Sequence, residues 1–286
     1  MGSLEFETPR TAAGREGLAA LLSAPAESVV GLDFDGTLAP IVADPEQARA
    51  HPGVAPALSA LAPRLGAVVV VTGRPAGTAV AYGGFAGVPG LEHLTVLGHY
   101  GAERWEARTE EVTAAEPPAG VAAVRAALPG VLERAGARPG TWTEDKGRAL
   151  AVHTRRAEQP QEALELLRAP LAELAAAHGL MVEPGRMVLE LRPPGVDKGA
   201  ALAGFLAGRP LRTVLYVGDD LGDLPAFDEV ERRRAAGAPG LLVCSAAVDG
   251  EAPVSALADR ADLVVPGPAG VVELLAALGA ALGDAR

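Results

Sequence analysis

Short β-branched runs alternate with Ala- and Leu-rich stretches of helical spacing along most of the chain. The apolar runs are nearly continuous, which is typical of strands that are buried on both faces of a parallel sheet. Their alternation with helical stretches indicates β-α-β crossovers. The predicted strands lie within residues 28–35, 67–73, 94–98, 213–220, 241–245 and 261–267, and the predicted helices lie within 53–64, 75–86, 197–207, 223–236 and 269–282.

The pattern changes between about residues 105 and 190, where two helical stretches are interleaved with four short strands that can pair locally. Locally paired strands with helices on one face are typical of an α+β arrangement. We therefore expect an α/β protein in which a Rossmann-like parallel-sheet core is interrupted by an α+β insertion. The expected divisions are an N-terminal extension at 1–25, a discontinuous core at 26–105 and 190–286, and the insertion at 106–189.

Composition limits the classes of partner. The 25 Lys and Arg residues against 36 Asp and Glu residues give a net charge of −11, which disfavours nucleic acid and anionic membranes as partners. The only cysteine, Cys244, excludes an internal disulfide and a cysteine-based zinc cluster, so nothing requires an oxidising compartment. The purest apolar run, residues 67–71, is too short to cross a bilayer. We expect a cytoplasmic monomer that acts on a small molecule.

The first candidate site is the pair Asp33 and Asp35, which follows a predicted buried strand. Ligands of open parallel sheets bind at the carboxyl ends of the strands, and two neighbouring carboxylates there are costly unless a positive charge accompanies them. Oxygen ligands favour Mg²⁺. The alternative is an Asp-Gly turn with solvated acids, but two acids directly after one buried strand make that interpretation weaker.

A second acidic cluster, formed by Asp219, Asp220 and Asp223, follows the predicted strand at 213–218. If both acidic strand ends lie side by side, they form one site for a hard cation. Asp223 has an alternative role as the N-cap of the helix that follows, and the sequence leaves both roles open.

Two further segments have anion-binding character. Thr72, Gly73 and Arg74 lie between a predicted strand and a helix start, where a hydroxyl and backbone N–H groups can hold a phosphate oxygen. Taken alone this signal is weak, because Thr is also an ordinary N-cap. Lys198 opens a predicted helix after Asp197, and a cation at the positive end of a helix dipole is better explained by a nearby anion.

These four segments, in this order, resemble the motifs of the haloacid dehalogenase-like phosphohydrolases: D-x-D-x-T, a strand-end Thr, a Lys and an acidic G-D-D. The resemblance implies that Asp33 is the nucleophile that forms an aspartyl-phosphate, and that Asp35 is the general acid and base. It implies that Thr72 and Lys198 bind the transferring phosphoryl oxygens, with Gly73 and Arg74 beside them.

The same resemblance implies a Mg²⁺ cofactor. Its ligands would be the Asp33 carboxylate, the Asp35 backbone carbonyl and Asp219. Asp220 is a further candidate metal ligand, and Asp223 is a candidate supporting residue.

Longer segments between residues 29 and 227 resemble trehalose-6-phosphate phosphatases, including DFDGTLAPIV, GHYGAERW, TEDKGRALAVHTR, GRMVLELRPPGVDKGAAL and YVGDDLGDLPAF. This resemblance implies hydrolysis of trehalose 6-phosphate, with the insertion acting as a cap that supplies sugar contacts. The candidate sugar-binding residues are Glu144 and Lys146, followed by Glu103, Arg186 and Glu190.

The chain departs from the family pattern in two places. Gly222 and Leu224 replace Thr and Glu in G-D-D-x-T-D-E, and Tyr100 stands at the third position of G-x-H-G-x-E. Neither change touches an inferred catalytic residue. Two alternatives to this function stay open. One is a phosphatase of another sugar phosphate, such as sucrose phosphate or mannosylglycerate phosphate. The other is a non-catalytic sugar-phosphate sensor, which the intact Asp33 and Asp35 disfavour.

Overall fold

A computed structural model describes residues 8–42, 44–114, 116, 118–185, 187–246 and 255–283. The chain divides into two compact units, which are described separately. Unit 1 consists of Met1–Ala114 and Asp197–Arg286, and unit 2 consists of Ala115–Val196.

The strands and helices are numbered in chain order. The strands are β1 (Ser28–Leu32), β2 (Ala67–Val71), β3 (Leu94–Gly98), β4 (Glu103–Glu106), β5 (Glu111–Ala114), β6 (Trp142–Asp145), β7 (Leu150–His153), β8 (Met181–Gly185), β9 (Val188–Arg192), β10 (Thr213–Gly218), β11 (Gly240–Ala246) and β12 (Leu263–Pro266). The helices are α1 (Ala12–Ser23), α2 (Val54–Leu61), α3 (Ala76–Gly83), α4 (Ala119–Arg134), α5 (Pro160–Ala177), α6 (Lys198–Leu206), α7 (Leu224–Ala235), α8 (Ser255–Ala258) and α9 (Gly267–Gly283).

Unit 1 is built on an eight-stranded sheet in the order β12-β11-β10-β1-β2-β3-β4-β5. The strands from β12 to β3 are parallel, whereas β4 and β5 are antiparallel to their neighbours. From β1 the sheet extends one way through β2 and the other way through β10. The crevice at the carboxyl ends of β1 and β10 is therefore at the point where the strand order reverses, which is where open α/β sheets bind ligands. The predicted α/β class is confirmed.

Both faces of this sheet are covered by helices, as the continuous apolar runs predicted. Val68 and Val70 of β2 pack into one core with Leu58 of α2. Val69 and Val71, on the opposite face, pack into a second core with α6 and α7. The two-residue period of a strand divides a single valine run between two cores.

Unit 2 contains a four-stranded antiparallel sheet in the order β6-β7-β9-β8. Leu150, Val152, Leu189 and Leu191 pack on one face of it against apolar residues of α4 and α5. The predicted α+β character of the insertion is therefore present in this unit.

The limits of the insertion differ from the expected 106–189. β4 and β5 extend the sheet of unit 1, and all of β9 belongs to the sheet of unit 2, so that unit 2 runs from residue 115 to residue 196. The sequence pattern did not indicate this hairpin. In β4 only Trp105 is apolar and buried, and all four residues of β5 are exposed at the sheet edge. Such strands have no continuous apolar run to recognise.

The expected N-terminal extension at 1–25 contains α1, which packs on β10 and β11. The approach of α1 to the sheet is close: a Cβ added at Gly17 would lie 1.8 Å from the carbonyl oxygen of Gly240. The helix is also anchored through the Thr11 hydroxyl, which accepts a hydrogen bond from the Gly14 N–H at 2.9 Å and donates one to Asp262. This helix is therefore part of unit 1.

None of the helices in the described ranges combines the length and the apolar character that a membrane span requires.

The close packing of α1 predicts that Gly17→Ala destabilises unit 1 by about 1–3 kcal/mol, because the added methyl group must displace backbone. Gly204→Ala in α6 is the matched control, since a Cβ there meets nothing within 4 Å and alanine favours helix by up to about 1 kcal/mol. Urea unfolding followed by circular dichroism measures both changes. Equal stability of the two variants would mean that α1 does not pack on β11 in solution.

Candidate active site

The acidic ends of β1 and β10 lie side by side. The two strands pair in parallel with Leu32 opposite Val217, and the N–H of Asp33 donates to the carbonyl of Val217 at 3.0 Å. Carboxylate oxygens of Asp33, Asp219 and Asp223 lie within 4.8 Å of one another. Residues that are nearly 190 positions apart in the sequence therefore form one cluster.

Lys198 is buried at the start of α6, and its Nζ lies 2.8 Å from an oxygen of Asp33 and 2.8 Å from an oxygen of Asp223. Burial by itself lowers the pKa of Lys198, but the charges of Asp223 and Asp33 raise it well above its ordinary value. The lysine is thus held as an ammonium ion. The anions that explain its place at a helix N-terminus are these two carboxylates.

Asp223 is the most heavily hydrogen-bonded of these acids. Its carboxylate accepts hydrogen bonds from Lys198, from the N–H groups of Asp219 and Asp220 at 3.1 and 3.3 Å, and from the Tyr216 hydroxyl at 2.9 Å. Its side chain does not cap α7. Of the two roles that the sequence left open, the carboxylate serves the acidic loop and Lys198 rather than the helix that follows.

Tyr216 and Ser245 also contact residues of the site, although the sequence pattern indicated neither of them. The Tyr216 ring is buried opposite Gly31 in the β1–β10 register, where a Cβ on that glycine would lie 2.8 Å from the ring. The Ser245 hydroxyl donates to the carbonyl of Gly36 at 2.7 Å and ties β11 to the loop after β1. Both residues lie in apolar runs, so their polar atoms gave no separate signal.

The acidic cluster could hold a divalent cation. Burial raises the pKa of Asp219 well above its ordinary value, and the charges of Asp33 and Asp223 raise it further. Burial also raises the pKa of Asp33, although Lys198 lowers it. In the described part of the chain, Asp219 Oδ1 is buried without a hydrogen-bond partner. A cation beside these oxygens would satisfy that atom and offset the excess negative charge.

Gly36 permits the approach of Asp219 to the loop after β1. Its φ is +77°, and a Cβ there would lie 2.0 Å from Asp219 Oδ2. Asp220 lies at the rim of the cluster, and its carboxylate accepts from the N–H of Gly222 at 2.8 Å. Burial raises the pKa of Asp220.

Asp35 lies beside the cluster but has a different partner. The guanidinium of Arg74 donates to its two carboxylate oxygens at 2.6 and 2.7 Å, and also donates to the carbonyl of Pro45 at 3.0 Å. Arg74, expected as a substrate contact, is thus paired with the expected general acid. A bidentate pair of this kind fixes the orientation of the carboxylate.

The Thr72-Gly73-Arg74 loop follows β2, next to β1 in the sheet. Thr72 is buried, and its hydroxyl accepts from the N–H of Arg74 at 3.1 Å. The carboxylate of Glu103, expected to contact sugar, accepts from the N–H of Ala76 at 2.8 Å. In this position Glu103 supports the first turn of α3.

The other predicted sugar-binding residues lie in unit 2. Glu144 and Glu190 occupy one row across β6, β7 and β9, with Ala151 between them. Lys146 Nζ lies 2.6 Å from Glu190 Oε2, and His153 Nε2 lies 2.8 Å from Glu144 Oε2. This row is on the face opposite the helices of the unit. Arg186 lies outside the described residues.

An aromatic stack supports His153. The ring of Trp142 stacks on His153 with a centroid separation of 4.5 Å, and the Arg156 guanidinium lies 4.5 Å from the Trp142 ring centre. His153 was not among the sugar-binding residues that the sequence predicted. The stack fixes the imidazole that contacts Glu144.

Comparison with known proteins agrees with this geometry. A trehalose-phosphate phosphatase of Mycobacterium tuberculosis is 32% identical over 220 residues, which are 71% of this chain and 51% of that protein. The chain thus spans about half the length of the mycobacterial relative. A probable trehalose-phosphate phosphatase of Sinorhizobium fredii is 33% identical over 210 residues, which are 70% of this chain and 73% of the relative.

Among solved structures, the C-terminal domain of the C. albicans trehalose-6-phosphate phosphatase superposes with a TM-score of 0.72. It is 20% identical, and the match covers 96% of this chain and 98% of that domain, so it supports the fold alone. A family model described as trehalose-phosphatase matches residues 31–262, which include both acidic strand ends, the Thr72 loop and Lys198. The chain belongs to the trehalose-phosphatase family.

Proposed function

We propose that this protein hydrolyses trehalose 6-phosphate to trehalose and inorganic phosphate through an aspartyl-phosphate on Asp33. The observation that carries the proposal is the contact between Asp33 and Lys198 at 2.8 Å, beside Asp219, at the point where the strand order reverses. A carboxylate nucleophile with a cation beside it is the arrangement that attack on a phosphate monoester needs.

In the first step an Asp33 carboxylate oxygen attacks phosphorus, and the bond from phosphorus to the sugar oxygen breaks. Asp35 protonates the departing sugar oxygen, so that an alcohol and not an alkoxide leaves. Lys198 and the Thr72 hydroxyl bind the phosphoryl oxygens on which charge is redistributed. For the proton transfer, Asp35 must enter this step as the carboxylic acid, and its protonated oxygen must exchange its contact with Arg74 for one with the sugar oxygen.

In the second step water attacks the phosphorus of the aspartyl-phosphate, and Asp35 accepts the proton of that water. The acyl-phosphate bond breaks, which releases inorganic phosphate and regenerates the Asp33 carboxylate. The same residue therefore acts first as acid and then as base.

We propose Mg²⁺ as the cofactor, with Asp33, Asp219 and the Asp35 backbone carbonyl as its ligands and Asp220 and Asp223 in support. The buried Asp219 Oδ1, which has no hydrogen-bond partner in the described ranges, favours this set. When bound, the ion supplies positive charge that offsets the repulsion between a carboxylate nucleophile and a phosphate dianion.

We further propose that Glu144, Lys146 and Glu190 contact the hydroxyl groups of the disaccharide. The carboxylates and the ammonium group of these residues offer both acceptors and donors, as a sugar requires. Glu144 and Glu190 lie on one face of the sheet in unit 2, Lys146 contacts Glu190, and the opposite face of the sheet is apolar.

Action as a monomer in the cytoplasm is also part of the proposal. The support for the compartment is that Cys244, the only cysteine, is buried and unpaired, so that no disulfide requires an oxidising environment. Light scattering coupled to size exclusion measures the oligomeric state.

Asp33→Asn is expected to lower phosphate release from trehalose 6-phosphate with Mg²⁺ by at least about a thousandfold, because an amide does not form the aspartyl-phosphate. Asp259→Asn, at an exposed position, is the control and keeps wild-type activity. A phosphate-release assay over a panel of sugar phosphates makes the measurement. Equal turnover of glucose 6-phosphate would refute the disaccharide preference, and tight binding of trehalose 6-phosphate without turnover would identify a sensor.

Asp219→Asn is expected to raise the melting temperature in metal-free buffer by about 2–4 °C, because it removes one of the crowded buried carboxylates. With millimolar Mg²⁺ the order reverses, since only the wild type gains a ligand-dependent increase. Thermal unfolding with and without Mg²⁺ measures both effects. A Mg²⁺-dependent increase that persists in Asp219→Asn would place the ion elsewhere.

Glu144→Gln is expected to lower kcat/KM for trehalose 6-phosphate by about 10- to 100-fold, the effect of losing one charge-assisted hydrogen bond. Hydrolysis of p-nitrophenyl phosphate, which carries no sugar, should change less than about twofold. Glu165→Gln on α5 is the control for charge removal in unit 2. Equal losses on both esters would show that Glu144 acts on the structure and not on the sugar.

A further inference from the structure

Three consecutive residues after β3 have left-handed backbone conformations. The φ angles are +47° at His99, +55° at Tyr100 and +90° at Gly101. Glycine adopts this conformation freely, but His and Tyr do so only where their surroundings compensate for the strain. Strain of this kind concentrates at functional sites.

Two backbone hydrogen bonds join this segment to the loop after β2. The N–H of Tyr100 donates to the carbonyl of Thr72 at 2.9 Å, and the N–H of His99 donates to the carbonyl of Arg74 at 2.9 Å. Because both donors come from left-handed residues, the strained backbone is what directs these N–H groups to the two ends of one three-residue loop.

The side chain of Tyr100 covers the residue between those two ends. A Cβ added at Gly73 would lie 2.6 Å from the Tyr100 hydroxyl oxygen and 2.8 Å from the ring carbon that bears it. The ring therefore rests on the Gly73 backbone, and any side chain at Gly73 would displace it. The loop is held at Thr72, at Gly73 and at Arg74 by a segment that does not itself belong to it.

We propose that Tyr100 is a positioning residue for the phosphoryl-binding loop. Its left-handed backbone and its ring hold Thr72, Gly73 and Arg74 in one conformation, so that the Thr72 hydroxyl and the loop N–H groups keep a fixed arrangement toward the phosphoryl group. The inference rests on the proposed function, because that function names the ligand of the loop.

This role differs from a sugar contact in what it affects. A residue that positions the phosphoryl-binding loop influences every phosphate monoester, whatever its leaving group, and also influences inorganic phosphate. A residue that contacts sugar influences only the disaccharide ester.

The test compares Tyr100→Asn with Tyr100→Thr. Both variants remove the ring and have similar side-chain size, but Asn tolerates the left-handed conformation and β-branched Thr does not. We expect kcat/KM to be about tenfold lower for Tyr100→Thr than for Tyr100→Asn, which corresponds to about 1.4 kcal/mol. The loss should be equal for trehalose 6-phosphate and p-nitrophenyl phosphate. Calorimetric titration in Mg²⁺ buffer should show the same ratio in the Kd of inorganic phosphate.

Glu110 provides a matched control, since its φ is +56° and it lies in the exposed turn between β4 and β5. Glu110→Asn and Glu110→Thr impose the same backbone contrast away from the loop. We expect them to differ in melting temperature but not in kcat/KM or in phosphate affinity. An activity ratio like that of the Tyr100 pair would overturn the proposal, because it would reflect general destabilisation.

Three other results would also overturn it: equal phosphate affinity of the two Tyr100 variants, a loss restricted to trehalose 6-phosphate, or unchanged activity in both. If Tyr100→Thr does not fold, a double-mutant cycle of Gly73→Ala and Tyr100→Asn, measured as phosphate affinity, tests the proposal instead. Tighter phosphate binding by the double variant than by Gly73→Ala alone supports the proposal, and additive effects overturn it. If no ester is hydrolysed by the wild type but the Asn and Thr variants differ in phosphate affinity, the proposed function fails and the positioning role stands.

Discussion

The concentration of buried negative charge at the carboxyl ends of β1 and β10 is the constraint on which the site depends. Asp33, Asp219 and Asp223 come together there with Asp220 at the rim, and Lys198 is the cation that pairs with them among the described residues. Such crowding is costly in a low-dielectric interior, and the raised pKa values of Asp33 and Asp219 report that cost. The fold tolerates it because backbone N–H groups, Tyr216 and Lys198 satisfy much of the charge.

Close approach of backbone and carboxylate requires small residues at defined positions. A Cβ at Gly218 would lie 2.3 Å from Cγ of Asp223, and one at Gly36 would lie 2.0 Å from Asp219 Oδ2. Gly31 makes room for the Tyr216 ring in the neighbouring strand. Gly31 and Gly218 lie within strands, where glycine is otherwise unfavourable, so the geometry of the site lowers the stability of the sheet at these two positions.

In our proposal this strongly acidic chain binds an anionic substrate. It can do so because the local charge at the site differs from the net charge of the chain. Lys198 is held as an ammonium ion by two carboxylates, and Arg74 is oriented by Asp35. Each cation is fixed by an acid, so a phosphoryl group meets preorganised donors and not mobile side chains. The aspartates of the site therefore also hold its two cations, Lys198 and Arg74, in place.

The sequence by itself determined the parallel core and the four segments of the site. A strand covered on both faces needs a continuous apolar run. Each candidate group directly follows such a run or opens a helix, so its position in the sequence indicated that it lies at the edge of the sheet. Only the tertiary structure decided the rest. The β4–β5 hairpin has little buried surface to reveal it, and the bond from Ser245 to Gly36 joins residues 209 positions apart. Tyr216 lies in an apolar run, and the left-handed backbone of His99 and Tyr100 arises from contacts with a loop on another strand, which no local pattern encodes.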